Sequence, residues 1–479
     1  MKRKRFSLDR RLLENFSWPL ILSMLALVAI GLINLYSVSL GTSIQGQDNT
    51  QEFIKQLSFF GIGLVCSLLI LFFDYGLLQK VSIYIYVLGI GLLLLVELIG
   101  HTAGGATRWL FIGPLRFQPS EFVKPMLVVV LAAYFSRKEI AKNGLTILGF
   151  IPPLILIGIP FGFIIMQPDL GTSGLLLFTV FPLFLFVRLR KSLILTTVGL
   201  LAASIIWMTC LGGFQFLQEK EIIRGYQLER VFTHKNPEDD HNGKGWQIIQ
   251  SKSAIGSGKI LGRGFHGGTQ QKYGFLPAPK TDFAFSALSE EWGFLGATIV
   301  LSLFYCLFTA AFGIIRRSKD TFGKLLTLGL TSLIFWQMLI NILMVTGLFP
   351  VVGIPLPFVS YGGTSLLVTM VAVAIIANVG MRRYLFQDDP VIENPKVWQK
   401  NKAVELKESI PLTRRLKPYD PTDPDIFPEY RLPHQRPWLK YLNRRILSLP
   451  DWAEGDSLSF SRETIRKRSL RPEDFDFTP

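Results

Sequence analysis

Charge is what this sequence has least of. Charged residues make up 18% of the chain and hydrophobic residues 49%, whereas about a quarter of a soluble domain is charged. That balance excludes an ordinary soluble protein of 479 residues. Cysteine is scarcer still. Cys66, Cys210 and Cys306 each lie inside an apolar run, so they read as small buried side chains and neither a disulfide framework nor a zinc site is expected. The five histidines are scattered, with no His-x-x-x-His spacing, so no metal site is read from them. Within the little charge present, bases outnumber acids and the net charge is +15. In a soluble chain that excess would suggest nucleic acid. In one this apolar it points to an anionic membrane surface, and no nucleic-acid partner is expected.

What the chain has instead is phenylalanine, 38 residues of it, and long apolar runs. A helix crossing a bilayer needs roughly 20 mostly apolar residues. Ten stretches meet or approach that length: 17–40, 57–73, 81–99, 121–136, 145–166, 171–187, 192–213, 292–315, 325–348 and 364–381. The fold class predicted is an all-α polytopic membrane protein, with about ten transmembrane helices, a large extracytoplasmic loop and re-entrant segments. Residues 1–16 form a basic cytoplasmic N-terminus, 17–383 the membrane domain with its large loop at 214–285, and 384–479 a cytoplasmic tail. That tail has no apolar run and is expected to be disordered. The first run is too long for a cleavable signal and reads as a retained signal anchor.

Orientation follows from Lys and Arg in the short connections. They gather at the N-terminus, at Lys80, at Arg137, Lys138 and Lys142, at Arg188, Arg190 and Lys191, at Arg316, Arg317, Lys319 and Lys324, and at Arg382 and Arg383. The opposite connections 167–170 and 349–363 have none. Both termini are therefore expected in the cytoplasm of an inner-membrane protein. The outer connection 101–120 departs from the rule by carrying Arg108 and Arg116, which invites a functional reading.

Charges at membrane depth are costly and usually face a cavity or a partner. Glu121 and Lys124 lie three apart and share a helix face. They read either as an intrahelical pair or, with Arg108 and Trp109 just upstream, as the charged wall of a substrate cavity. Pro168 ends one helix, and Asp169 is placed to cap the next, read either as a structural cap or as a residue with a direct catalytic role. In the long outer segment come Gln250 and Ser251, then Gly256 and Ser257 among glycines that could let backbone N–H groups approach a phosphate. A flexible loop would look the same. Thr281 and Asp282 follow, just before a span, where partial burial would raise the carboxyl toward a useful base. Glu290 and Glu291 could include a partner for a cation, or be exposed interfacial carboxylates. The Pro- and Gly-rich stretch 347–363, with Ser360 and Tyr361, breaks any helix and is expected to re-enter and line the same cavity.

Taken in order, these motifs resemble the SEDS family (shape, elongation, division and sporulation). The matching residues are Gly105–Trp109, Gln118–Lys124, Gln167–Thr172, Ala254–Gly258, Thr281–Phe283, Glu290–Phe294 and Pro355–Gly363, within a resemblance covering 17–383. Gly268-Thr269-Gln270 and Val351–Pro355 are most similar to its elongation branch, the RodA type. The resemblance implies a peptidoglycan glycosyltransferase that polymerises lipid II, with undecaprenyl pyrophosphate as leaving group and a class B penicillin-binding protein as transpeptidase partner. It implies inverting transfer with Asp282 as general base. Arg108 and Lys124 are expected on the pyrophosphate, and Trp109, Glu121, Gln250, Ser251, Gly256, Ser257, Thr281, Ser360 and Tyr361 along the substrate. A divalent cation, Mg or Mn, could assist; no other cofactor and no Rossmann fold are expected, since no nucleotide sugar is needed. The alternatives are a flippase for lipid-linked precursor, the division-type polymerase, and a scaffold without chemistry. Three positions depart from the family pattern: Ala278 replaces Glu, Lys280 replaces His, and Lys259 replaces Gly. A cation at Lys280 would lower the Asp282 pKa relative to relatives.

The charge asymmetry has a direct test. A cysteine introduced beside Asn242 should react with a membrane-impermeant maleimide in intact cells. Reaction only after the membrane is permeabilised would invert the topology.

Overall fold

A computed structural model describes residues 15–43, 50–103, 106–112, 115–137, 140, 145, 147–167, 169–187, 244–318 and 320–382. The basic stretch 1–14, the expected span 192–213, the segment expected to face outward as far as residue 243, and the tail from 383 lie outside the described residues. Helices α1 (Trp18–Ser43), α2 (Thr50–Phe72) and α3 (Gly76–Ile99) come first. Strands β1 (His101–Ala103), β2 (Ala106–Ile112) and β3 (Leu115–Phe117) follow. Next are α4 (Pro119–Phe135), α5 (Ile147–Met166) and α6 (Leu170–Phe186), then α7 (Lys244–Ser257) and the single turn α8 (Thr269–Lys272). The chain closes with α9 (Ala284–Arg317), α10 (Thr321–Val345) and α11 (Gly363–Met381).

Seven of the described helices are long and apolar enough to cross a membrane, and α6 is a shorter apolar helix. The expected spans fall on helices wherever the residues are described, with the starts of α2 and α9 displaced furthest. α2 begins at Thr50 rather than 57 because its polar first turns continue the helix beyond the apolar run. α9 begins at Ala284 rather than 292, directly after the Asp282 turn.

The apolar surface is arranged for lipid. Within their apolar windows, 83% of α11 and 67% of α10 is buried, against 17% of α2 and 22% of α3 and α5. So α10 and α11 are central, and α2, α3 and α5 are peripheral. Leu98 and Leu148 are 79% and 78% exposed; each would cost about 1.5–3 kcal/mol of lost burial in water but nothing comparable in hydrocarbon. The polar residues are turned inward instead. At the C-terminus of α2, Asn378 Nδ2 donates to Phe73 O at 2.7 Å, and Arg382 Nη2 to Leu71 O and Phe72 O at 2.8 and 3.0 Å. These side chains from the end of α11 satisfy carbonyls that a helix end leaves orphaned.

The connection 101–120, expected as an outer loop, is a three-stranded antiparallel sheet in the order β1-β2-β3. Leu110 pairs with Phe117 and Phe111 with Arg116. Alternation along β2 buries Leu110 and exposes Phe111. The sheet gives Arg108 and Trp109 a fixed place that a loop would not.

α9 is interrupted at Gly293, with φ 65° and ψ −162°. The break frees backbone groups on both sides, and the glycine-rich stretch 258–264 takes them up. Arg263 N donates to Glu290 O and Gly264 N to Glu291 O, at 3.0 and 2.9 Å, while Phe294 N and Leu295 N donate to Lys259 O and Ile260 O, at 2.8 and 3.1 Å. A Cβ at Gly293 would stand 2.6 Å from Ile260 O. This backbone region is essentially restricted to glycine. Gly293→Ala should therefore lose roughly 1–3 kcal/mol to backbone strain alone, seen as a lower unfolding temperature in detergent. An unchanged temperature would mean the break is not required.

Candidate active site

A cavity of about 270 Å³ opens where β2, the first turns of α4 and α6, the turn before α9 and the segment before α11 meet. Arg108, Trp109, Glu121, Lys124, Asp169, Thr281, Asp282 and Tyr361 all reach it. Residues from five separated stretches of sequence are thus brought to one place.

Each cation in this cavity is matched to an acid. Lys124 Nζ lies 2.7 Å from Glu121 Oε1, with both side chains almost fully buried. Pro119 opens α4, and the i,i+3 spacing puts the two charges on its cavity face. Arg108 Nη1 lies 3.4 Å from Asp169 Oδ2, and its Nε donates to Gln167 O at 3.0 Å. Asp169 also caps α6: Thr172 N donates to Oδ1 at 3.1 Å and Thr172 Oγ1 to Oδ2 at 2.9 Å. Its carboxylate joins the sheet to the start of α6, so it is both a cap and a cavity residue. Among the described residues no three His, Cys, Asp or Glu side chains converge as a metal cage. Glu121 and Asp169 already hold side-chain cations, which is a poor ligand set for a divalent ion.

Asp282 sits in the turn leading into α9, and its placement depends on residues that sequence reading missed. Asn341, fully buried in α10, donates through Nδ2 to Asp282 O at 2.9 Å and to Ile354 O at 2.7 Å. One amide therefore joins the Asp282 turn to the Pro- and Gly-rich segment. A buried asparagine in an apolar span is a signal that could have found it. At the far end of that segment, Tyr361 N donates to Lys280 O at 2.8 Å. Gln56 bridges it as well, donating to Ser360 O at 3.4 Å and accepting from Gly362 N at 3.2 Å. Ser360 Oγ accepts from Leu356 N at 2.9 Å, so Ser360 closes its own loop while Tyr361 reaches the cavity. Gly353 lies against the carboxylate: a Cβ there would stand 3.5 Å from Asp282 Oδ2.

Five sequence candidates are not among the residues lining the cavity: Ser360, and four on α7. Ser251 is fully buried, 2.7 Å from Ser286 Oγ and donating to Val345 O at 2.6 Å. Gln250 lies beside it on α7. Ser257 Oγ donates to Ala254 O at 2.9 Å and to Glu290 Oε1 at 3.4 Å. Gly256 is in the same last turn of α7, and the neighbouring Gly258 packs directly on the Ser289 carbonyl. Gly258 and Gly262 allow backbone-to-backbone approach to α9, whereas no neighbour lies against Gly256. Glu290 and Glu291 are buried, not interfacial. Glu290 accepts from Thr269 N at 2.7 Å and Gln270 N at 3.1 Å, with Arg263 3.8 Å away; Glu291 accepts from Ser37 Oγ at 2.7 Å. The Lys280 ammonium is directed to Glu52, at 2.7 Å.

The family model described as cell cycle protein, FtsW/RodA/SpoVE, matches residues 18–385. The stage V sporulation protein E of Bacillus subtilis is 37% identical over 75% of this chain and 95% of its own. The peptidoglycan glycosyltransferase MrdB of Escherichia coli K12 is 40% identical over 63% and 78%. A chain from a peptidoglycan synthase complex that coordinates polymerization and crosslinking superposes with a TM-score of 0.64 at 28% identity, covering 77% of this chain and 98% of that one. The chain belongs to the FtsW/RodA/SpoVE family of polytopic membrane proteins, the SEDS family.

Proposed function

We propose that this protein is a peptidoglycan glycosyltransferase that polymerises lipid II at the outer face of the cytoplasmic membrane. The observation that carries the reading is Asp282, held by a fixed turn in a cavity that also contains Arg108 and Lys124. Relatives named as peptidoglycan glycosyltransferases support it. Asp282 removes the proton from the acceptor sugar hydroxyl. The hydroxyl oxygen attacks the anomeric carbon of the donor from the side opposite the pyrophosphate, so the configuration inverts. The bond from that carbon to the pyrophosphate breaks, and undecaprenyl pyrophosphate departs with the electron pair. Arg108 and Lys124 lie where they can contact a substrate pyrophosphate as its charge develops. Glu121 and Asp169 hold these cations in place, while Trp109 and Tyr361 offer apolar faces to the sugar.

The role proposed is in elongation, as opposed to division or sporulation, on the resemblance of Gly268-Thr269-Gln270 and Val351–Pro355 to the elongation branch. The partner proposed is a class B penicillin-binding protein, in keeping with the similarity to a chain from a synthase complex. The Lys and Arg asymmetry supports a cytoplasmic position for both termini.

Asp282→Asn keeps the size of the side chain but cannot take the proton at neutral pH. A positioned general base contributes about 10²–10⁴-fold. Purified Asp282→Asn should therefore polymerise lipid II more slowly by about that factor, at an unchanged unfolding temperature. Near-normal polymer would remove Asp282 as the base.

Asn341→Ala removes both bonds that position the Asp282 turn. Displacement of a reacting group by about 1 Å can cost about 10²-fold. The variant should lose kcat with KM for lipid II nearly retained, because the substrate contacts remain. A rise in KM at constant kcat would show that Asn341 supports binding instead.

A further inference from the structure

A second cavity, of about 440 Å³, adjoins the first and shares Trp109, Thr281, Tyr361, Gly362 and Gly363 with it. The two differ sharply in charge. The first holds the cations Arg108 and Lys124 against three carboxylates, Glu121, Asp169 and Asp282. The second holds Lys55, Arg116 and Lys280 against Glu52 alone. An anion entering the second cavity meets an excess of positive charge, whereas in the first it must compete with acids already in place. Lys280 is only 14% exposed in its side chain, and its ammonium is occupied by Glu52 at 2.7 Å, a half-exposed residue in the first turn of α2. Burial first, then the Glu52 charge, pushes the Tyr361 phenol above its ordinary pKa, so it stays protonated as a donor. Lys280 also immediately precedes Thr281 and Asp282.

We propose that the second cavity binds the pyrophosphate of a second lipid-linked chain, and that Glu52 is a displaceable counter-ion keeping Lys280 occupied until that pyrophosphate arrives. This rests on the glycosyltransferase reading, in which two pyrophosphate-linked sugars must meet at Asp282. With no substrate, the Lys280–Glu52 pair satisfies a cation that would otherwise be left in a partly dehydrated cavity. With substrate, a doubly bonded phosphate group replaces one carboxylate, and Lys55 and Arg116 complete the ring of donors. Glu52 is 37% exposed in its side chain, so its carboxylate can turn to solvent once the phosphate has taken its place on Lys280. The departure of residue 280 from the family pattern thus makes a charge that is always present, held in check by a neighbouring acid.

Inorganic pyrophosphate titrated calorimetrically into the purified full chain in neutral detergent tests the site without turnover. Glu52→Gln should bind it about tenfold tighter than wild type, the worth of one charge-assisted bond. Lys280→Gln should abolish the gain when combined with Glu52→Gln, and Lys280→Arg should keep it. Arg108→Gln should leave the gain unchanged, since it alters the other cavity. Equal affinity in wild type and Glu52→Gln, or a gain that survives Lys280→Gln, overturns the proposal. Vesicles distinguish the source of the phosphate: in phosphatidylcholine, Glu52→Gln should lower KM for lipid II, and added phosphatidylglycerol should leave that change in place. Loss of the change in phosphatidylglycerol would assign the cavity to a lipid headgroup and overturn the substrate role. Tighter pyrophosphate binding in a protein that makes no polymer would keep the site and reject the glycosyltransferase reading. Polymerisation with no effect of Glu52 or Lys280 on either measurement would do the reverse.

Discussion

A backbone N–H or C=O group left unbonded at membrane depth costs several kcal/mol, because lipid offers no replacement partner. Helices avoid this by bonding within themselves, but the turn carrying Asp282 and the Pro- and Gly-rich segment before α11 are not helical. The structure resolves the conflict with side chains donated from neighbouring helices. Asn341 holds the carbonyls of Asp282 and Ile354. Gln56 takes up the backbone at Ser360 and Gly362. Asn378 and Arg382 do the same for the end of α2. Each is a polar side chain at or near a largely apolar helix, and each satisfies backbone that no helix or strand bonds.

The same constraint shapes the charges. A buried ion pair is weak evidence for stability, since removing both ions from water costs about as much as their attraction returns. Lys124 and Glu121 are therefore better understood as a pair maintained for what the cavity must do. Pairing lets a cation wait in a poorly hydrated place without a substrate. Arg108 with Asp169, and Lys280 with Glu52, repeat the arrangement in different surroundings. Asp169 shows how economical it can be, because one carboxylate caps a helix and orients an arginine from the sheet.

Much of the fold was legible in the sequence because lipid imposes a length and a polarity that a linear reading can recognise. Glu121 and Lys124 could be assigned to one helix face from their spacing. The residues that misled were those with two physical uses. Glycines that could admit a phosphate also permit two backbones to touch, and Gly258 does the second against Ser289. Ser251 looked available for substrate but hydrogen-bonds inside the α7, α9 and α10 contact. A connection with two arginines looked like a loop because β1 and β3 are too short to show a clear alternation.

The sequence by itself determined the membrane setting, most of the spans, the family and the residues Arg108, Glu121, Lys124 and Asp282 as the charges worth following. Periodicity, length and local spacing carry those properties, and each can be read within a window of about one helix. Only the tertiary structure decided that these charges share one cavity with Asp169 and Tyr361, that Asn341 and Gln56 hold its walls, and that Lys280 pairs with Glu52 in a second cavity beside it. Those are distances between residues far apart along the chain, set by which helix faces pack together, and no local pattern encodes them.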